Sequence, residues 1–323
     1  MSFTSGLKKH FGRPTFSEQL SKHNLSLLKN KIAPPYSCEL DIVDHCNISC
    51  ADCNHASPVI KKRYTNPEDV YHDLSLLAKV YEPQVLKILG GEPLLHPDLL
   101  GIFAAIRKSG FCSTLYLITN GLLLPKQGED FWQAIDILEI SCYPDASLSE
   151  EQLQYCLDKT KQYDVALYVY YYEQFRPTFV MKGYKQPGLV KRVYRQCYLA
   201  HTWGCHIVHE GYFYKCPQSI YIPKALGLTP DHCKADGIKL ENSPNFIYKL
   251  FQYLSSDKPL NACSHCLGNY GKERPHTIIK RKNWLQASHV YAESLLDIEK
   301  LQKSEMGIPV FDTGKKLGSG NLT

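Results

Sequence analysis

Three cysteines within eight residues, Cys46, Cys50 and Cys53 in the segment CNISCADC, constrain this chain more than any other feature. They follow CELDIV at 38–43, an apolar-rich run that reads as a strand, so a strand must deliver a loop carrying three thiols. The chain has 13 cysteines in 323 residues. It carries no apolar run near the roughly 18 residues of a membrane span. Its start, MSFTSGLKKHFGRP, has no apolar core followed by a cleavage site. A soluble cytoplasmic protein with no membrane partner is therefore expected, and in a reducing compartment cysteines at this density are metal ligands rather than a disulfide framework. A net charge of +5 is too mild to call for nucleic acid as a partner.

Beyond the loop, strand-like and helix-like segments alternate. Strands are expected at 85–89 (VLKIL), 114–119 (TLYLIT), 135–142 (IDILEISC) and 165–171. Helices are expected from Asn66-Pro67 to about residue 81, over 96–109, near 130–135, and from the capping box at Ser149-Glu150-Glu151-Gln152 to about 163. Such alternation implies parallel βαβ units and an α/β fold, a doubly wound sheet or a barrel, with ligands at the carboxyl ends of the strands. The unusual residues fall at those ends: the cysteine loop after the first strand, Gly90-Gly91-Glu92-Pro93 after the second, Thr119-Asn120-Gly121 after the third, and Ser141 at the end of the fourth. Further along, Cys205 to Cys216 (CHIVHEGYFYKC) reads as a hairpin turning at His209-Glu210-Gly211. A helix is expected near 244–255, a charged amphipathic helix over 283–301, and a disordered tail at GKKLGSGNLT.

Three thiolates on one loop leave one iron of a cubane cluster without a protein ligand, since such clusters take four. With the Gly-Gly-Glu-Pro segment some forty residues on, the loop resembles the signature of the radical S-adenosylmethionine (radical SAM) superfamily. The resemblance implies a partial (β/α)6 TIM-like barrel and a 4Fe–4S cluster held by Cys46, Cys50 and Cys53, whose open iron binds SAM. It assigns SAM contacts to Gly90, Gly91, Glu92, Pro93, Asn120 and Ser141, with Glu92 suited to the methionine ammonium. The position before the third cysteine, usually aromatic in the superfamily, is Asp52 here.

Cys197, Cys205, Cys216, Cys263 and Cys266 form a second set. Cys197, Cys216 and the Cys263/Cys266 pair are similar to the twitch domain, a truncated SPASM domain, and imply an auxiliary 4Fe–4S cluster. Five cysteines compete for four positions. The family pattern favours Cys197 with Cys216, Cys263 and Cys266, whereas the hairpin puts Cys205 across from Cys216. A spare thiol, Cys205 or Cys197, is either a buried bystander or a hydrogen-atom donor to a substrate radical. The implied organisation is an N-terminal arm (1–36), a barrel (37–190), a twitch domain (191–275) and a C-terminal helix and tail (276–323).

Cys112, Cys142 and Cys156 read as core, and Cys38 and Cys233 have no assignment. His201, His206 and His209 read as surface polar residues, and His45 and His55 as lining the cluster or substrate mouth. Tyr170 and Tyr172 read as packing, and the basic residues from Arg176 to Arg195 as a solvated loop. The implied activity is reductive cleavage of SAM to a 5′-deoxyadenosyl radical that abstracts hydrogen from a small polar substrate (a sugar, aminoglycoside or nucleotide-linked molecule), with dehydrogenation or epimerisation as the outcome. A reducing partner of the flavodoxin or ferredoxin kind is implied. The short N-terminal arm tilts this reading away from a peptide-modifying maturase. A non-catalytic iron–sulfur carrier is the reading of another class, and it has no use for the SAM contacts.

Overall fold

The apolar runs form consecutive strands of one sheet in the computed structural model, which describes residues 16–311. We label them β1 (Ser37–Val43), β2 (Val85–Gly90), β3 (Leu115–Thr119), β4 (Ile137–Cys142) and β5 (Ala166–Tyr171). The hairpin adds β6 (His206–His209) and β7 (Tyr212–Tyr214), and Gly237–Lys239 supplies β8. The sheet runs β8–β7–β6–β1–β2–β3–β4–β5. Pairing is parallel from β6 through β1 to β5 and antiparallel from β6 to β8. The hairpin expected from its turn thus forms, and its first strand lies beside β1.

Helices cover one face. They are α1 (Pro67–Leu77), α2 (Leu99–Ser109), α3 (Glu129–Ala134) and α4 (Glu150–Gln162). Each starts where the sequence provides for it. Asn66 accepts a bond from the Glu68 N–H at 2.9 Å, Asp98 one from Gly101 at 3.0 Å, and Ser149 and Gln152 form the reciprocal capping box. The α2 helix ends on Gly110 in the left-handed region, φ 66°. The apolar alternate positions of β1, Cys38, Leu40 and Ile42, pack under these helices with Leu74, Ile102 and Phe103. The other face of β1 carries Glu39 and Asp41 into the concave side of the sheet.

Cys112, Cys142 and Cys156 are buried, as are Cys38 and Cys233, so all five act as small apolar side chains. The single helix expected over 283–301 is broken into Arg281–Ser288, Ala292–Leu295 and Ile298–Glu305. Its backbone is claimed from outside: Met181 donates to the Ser288 carbonyl, Lys182 to that of Val290, and Ala292 donates to Gly183. The N-terminal arm holds the short helix Phe16–Ser21 and an unforeseen hairpin, Ser26–Leu28 with Lys31–Ala33. The first fifteen residues and the C-terminal tail lie outside the described residues. Among the described residues no helix is long and apolar enough to cross a membrane.

Candidate active site and second thiol cluster

A cavity of about 410 Å³ opens on the concave side at the carboxyl ends of the strands. Cys46, Cys50 and Cys53 line it, together with Gly90, Gly91, Asn120 and Ser141. The approach of β2 to the cysteine loop explains the glycines. Gly90 has φ 138°, and a Cβ at Gly91 would collide with the His45 carbonyl oxygen. Gly91 donates to Val43 at 2.6 Å and Glu92 to His45 at 3.0 Å, which ties the loop to β2. Asn120 donates to Asn47 Oδ1 at 2.7 Å and lies 3.6 Å from the Cys46 sulfur.

Glu92 is turned into the protein. It is fully buried, and Oε1 accepts from Thr119 at 2.6 Å and from the Leu94 N–H at 3.0 Å, while Oε2 accepts from the Asn120 N–H at 2.9 Å. Held by three bonds, the carboxylate shapes the loop. Pro93 opens the short 3₁₀ turn Pro93–Leu95 beneath it and is buried.

Asp52, in the usually aromatic position, has φ 58° and forms a two-pronged ion pair with Arg274. Around it the loop is stitched to a distant segment: Ala51 donates to the Thr277 carbonyl at 2.8 Å and Ile279 to that of Ser49 at 2.9 Å. Burial pushes the three loop thiols up, Cys46 to about 12, and repulsion from the neighbouring thiols adds to the shift at Cys46 and Cys50. They are protonated without a metal, so any metal they take must displace protons. The three thiols on one wall, with adjacent glycine backbone, fit a cluster that keeps one position open.

The other five cysteines divide between two cavities. Cys197, Cys216, Cys263 and Cys266 line a second, smaller apolar cavity; burial raises all four thiols, and repulsion from the others adds to the shift at Cys216, Cys263 and Cys266. Cys205 lies in the first cavity instead, with Glu39 in its surroundings, and burial together with the Glu39 carboxylate holds its thiol well above the ordinary range. Gln218 and Gly268 border both cavities. Among the described residues no group of three or more His, Cys, Asp or Glu side chains is arranged to hold a single metal ion. The four thiols surround a cavity, and this suits a multi-iron cluster.

Several residues depart from their sequence reading. His206 and His209 are buried rather than exposed; His206 is 2.6 Å from the Tyr81 hydroxyl, and burial lowers it to about 3. His201 is half-buried, with Nε2 2.9 Å from the Tyr194 carbonyl, and burial lowers it to about 4. His55 lines the cavity as expected and is neutral, pushed down to about 4 by burial. His45 meets the Tyr64 hydroxyl at 3.2 Å. Tyr172 and Arg176, read as packing and as solvated loop, both line the cavity.

Sequence reasoning missed two residues. Glu39 gave a signal as a carboxylate in an otherwise apolar strand. Lys215, next to Cys216, is 3% exposed; its ammonium donates to the Ser256 carbonyl at 2.9 Å, and burial brings it down to about 8 against the pull of three thiols.

No family model matches the chain. Over 101 residues it is 34% identical to the GTP 3′,8-cyclase of Trichodesmium erythraeum (strain IMS101), a match covering 29% of this chain and 30% of that protein. Over 114 residues it is 29% identical to the GTP 3′,8-cyclase of Staphylococcus aureus (strain Mu3 / ATCC 700698), covering 33% and 34%. The match thus spans about a third of these relatives' length. Among solved structures, BtrN in complex with AdoMet and 2-DOIA aligns over 70% of this chain and 91% of its own at 14% identity and a TM-score of 0.38. The AdoMet-bound anSMEcpe aligns over 42% of each chain at 15% identity and a TM-score of 0.34. At these scores the structural likenesses carry no argument. On the sequence match, with the three-cysteine loop set against a Gly-Gly-Glu-Pro turn at the mouth of a mostly parallel sheet, the chain resembles the radical SAM superfamily.

Proposed function

We propose that the protein is a radical SAM enzyme that abstracts a hydrogen atom from a small polar substrate and returns one from Cys205, so that the substrate carbon is epimerised. Cys46, Cys50 and Cys53 would hold the SAM-binding 4Fe–4S cluster, with Gly90, Gly91, Asn120 and Ser141 around SAM. Cys197, Cys216, Cys263 and Cys266 would hold an auxiliary cluster of the twitch type. When bound, the cluster and SAM supply a one-electron cleavage of SAM to methionine and a 5′-deoxyadenosyl radical, which takes the substrate hydrogen. The chain's own residues then determine the outcome.

The observation that carries this reading is the position of Cys205. It lies in the cavity with the first cluster's thiols and outside the second cavity, and it is protonated. A thiol S–H facing a substrate radical gives up its hydrogen atom: the new C–H bond forms as S–H breaks, and a thiyl radical remains. One electron from the reducing partner and one proton restore the thiol. Each turnover consumes one SAM and two electrons. Dehydrogenation instead requires the substrate electron to leave without hydrogen return, and gives Cys205 no task.

The test is anaerobic reconstitution of single variants. Wild type and Cys205→Ala are expected to bind about eight irons, and Cys197→Ala about four. In deuterated water the wild-type epimer gains one deuterium at the inverted carbon, and Cys205→Ala yields 5′-deoxyadenosine without epimer. Loss of four irons in Cys205→Ala would overturn the assignment, as would an epimer free of solvent deuterium.

A further inference from the structure

One helix joins the two thiol sites. It spans Gln218–Ala225 and begins at Cys216: Pro217 stands at its N-cap, and the Ser219 N–H donates to the Cys216 carbonyl at 3.2 Å. Gln218, Tyr221 and Lys224 follow at steps of three, so they are neighbours along its surface. Each reaches the first cysteine loop. Gln218 Nε2 donates to the carbonyl of Asn54, the residue after Cys53, at 3.1 Å. The Tyr221 ring lies edge-on to His55, with centroids 4.8 Å apart. Lys224 Nζ donates to Oδ2 of Asp44, which shortly precedes Cys46, at 2.7 Å. The helix thus grips the loop just outside both of its end cysteines.

The surroundings make this grip firm. Gln218 is 3% exposed and Tyr221 1%, and the Asp44 carboxylate is also held by the Arg63 guanidinium at 2.9 and 3.1 Å. Ala56, Val59 and Ile60, which lead the chain out of the loop, share one apolar core with Ile220, Tyr221 and Cys266. Gln218 itself borders both cavities. In a core packed to native density a short helix moves as a unit. Fixing the Cys216 sulfur to the same cluster as Cys197, Cys263 and Cys266 therefore also fixes Lys224, about 12 Å further along the axis.

We propose that Gln218, Tyr221 and Lys224 are positioning residues for the first cluster, and that through them a filled second site holds the Cys46–Cys53 loop in the shape that keeps its iron. This rests on the second cavity holding a cluster, as proposed above. The loop's own thiols then suffice to bind iron, and the second site sets how long it stays.

The test follows first-site iron in the reconstituted full chain. The first cluster is read as the EPR signal of the dithionite-reduced protein that shifts on adding SAM, and its decay is timed after dilution into EDTA. Cys197→Ala and Cys263→Ala, which each empty the second site, are expected to lose that signal at least about fivefold faster than wild type. Two such variants are used so that one that folds poorly does not decide the matter. In a Gln218→Met/Lys224→Met background, with every thiol in place, loss is already fast, and adding Cys197→Ala is expected to change it by less than about twofold. Two unconnected structural defects would instead multiply their effects. Equal rates in wild type and both cysteine variants would overturn the inference, as would a full effect of Cys197→Ala persisting in the helix variant. Iron content separates the two readings: about four irons in wild type would overturn the second cluster itself, whereas about eight irons with equal rates would overturn the coupling alone.

Discussion

Two buried charges at single positions set measurable properties. Asp41 is 1% exposed, and neither carboxylate oxygen has a hydrogen-bond partner. Burial raises its pKa well above the ordinary 3.8, and Glu39 and Asp44 add to the shift against Arg63 and Lys224. The folded state therefore holds a proton that the unfolded chain releases at lower pH. Stability should fall as pH rises from about 4 through the raised value. Urea unfolding of wild type across that window should show this slope, and Asp41→Asn should flatten it. An unchanged slope in the variant would place the titration elsewhere. Lys215 is the second case. Its ammonium lies among thiols that would carry a cluster of negative charge. Removing the cation penalises the reduced, more negative state, so Lys215→Met should lower the auxiliary cluster's potential by roughly tens of millivolts, read by an EPR-monitored titration, with about eight irons retained.

At the scale of elements, the cysteine loop is shaped from two directions. The turn after β2 presses on it through Gly91, and the segment 274–279 straps it through Asp52–Arg274 and two backbone bonds. Gly91→Ala should displace the loop and lose about four irons while far-ultraviolet circular dichroism stays as in wild type. Arg274→Gln leaves Asp52, 8% exposed, without its partner. Because Arg274 is itself 40% exposed, the cost should be about 1–2 kcal/mol, below that of breaking a fully buried pair. It should appear as faster iron loss from the first site on dilution into chelator, with Arg274→Lys intermediate. The five parallel strands β1 to β5, the capped helices and the β6–β7 hairpin were legible in the sequence, because apolar periodicity and caps act over a few residues. The strap was not, since Asp52 and Arg274 are 222 residues apart and nothing local couples them. The break in the expected 283–301 helix was hidden for the same reason: residues 181–183 take its backbone bonds.

Across the whole molecule, the cysteines sort by which cavity they face. Spacing alone left Cys197 and Cys205 interchangeable. The parallel seating of β6 beside β1 separates them, because it brings the residue before β6 over Glu39 and leaves Cys197 with Cys216, Cys263 and Cys266. The superfamily's glycines were readable as a motif, but the inward turn of Glu92 was not, since it depends on Thr119 and Asn120 from the next strand. All the ligand thiols are raised by burial, so protons compete with iron at both sites. Iron uptake by the apoprotein at limiting iron should therefore increase from pH 7 to pH 9, measured by iron content after desalting. An uptake independent of pH would contradict the buried-thiol account.

The most direct test of the central claim is 5′-deoxyadenosine formation. Protein reconstituted anaerobically to about eight irons and given SAM and dithionite should release 5′-deoxyadenosine and methionine in equal amounts, and Cys53→Ala should release neither. Fully loaded wild-type protein that leaves SAM intact would contradict the account and return the molecule to the class of iron–sulfur carriers.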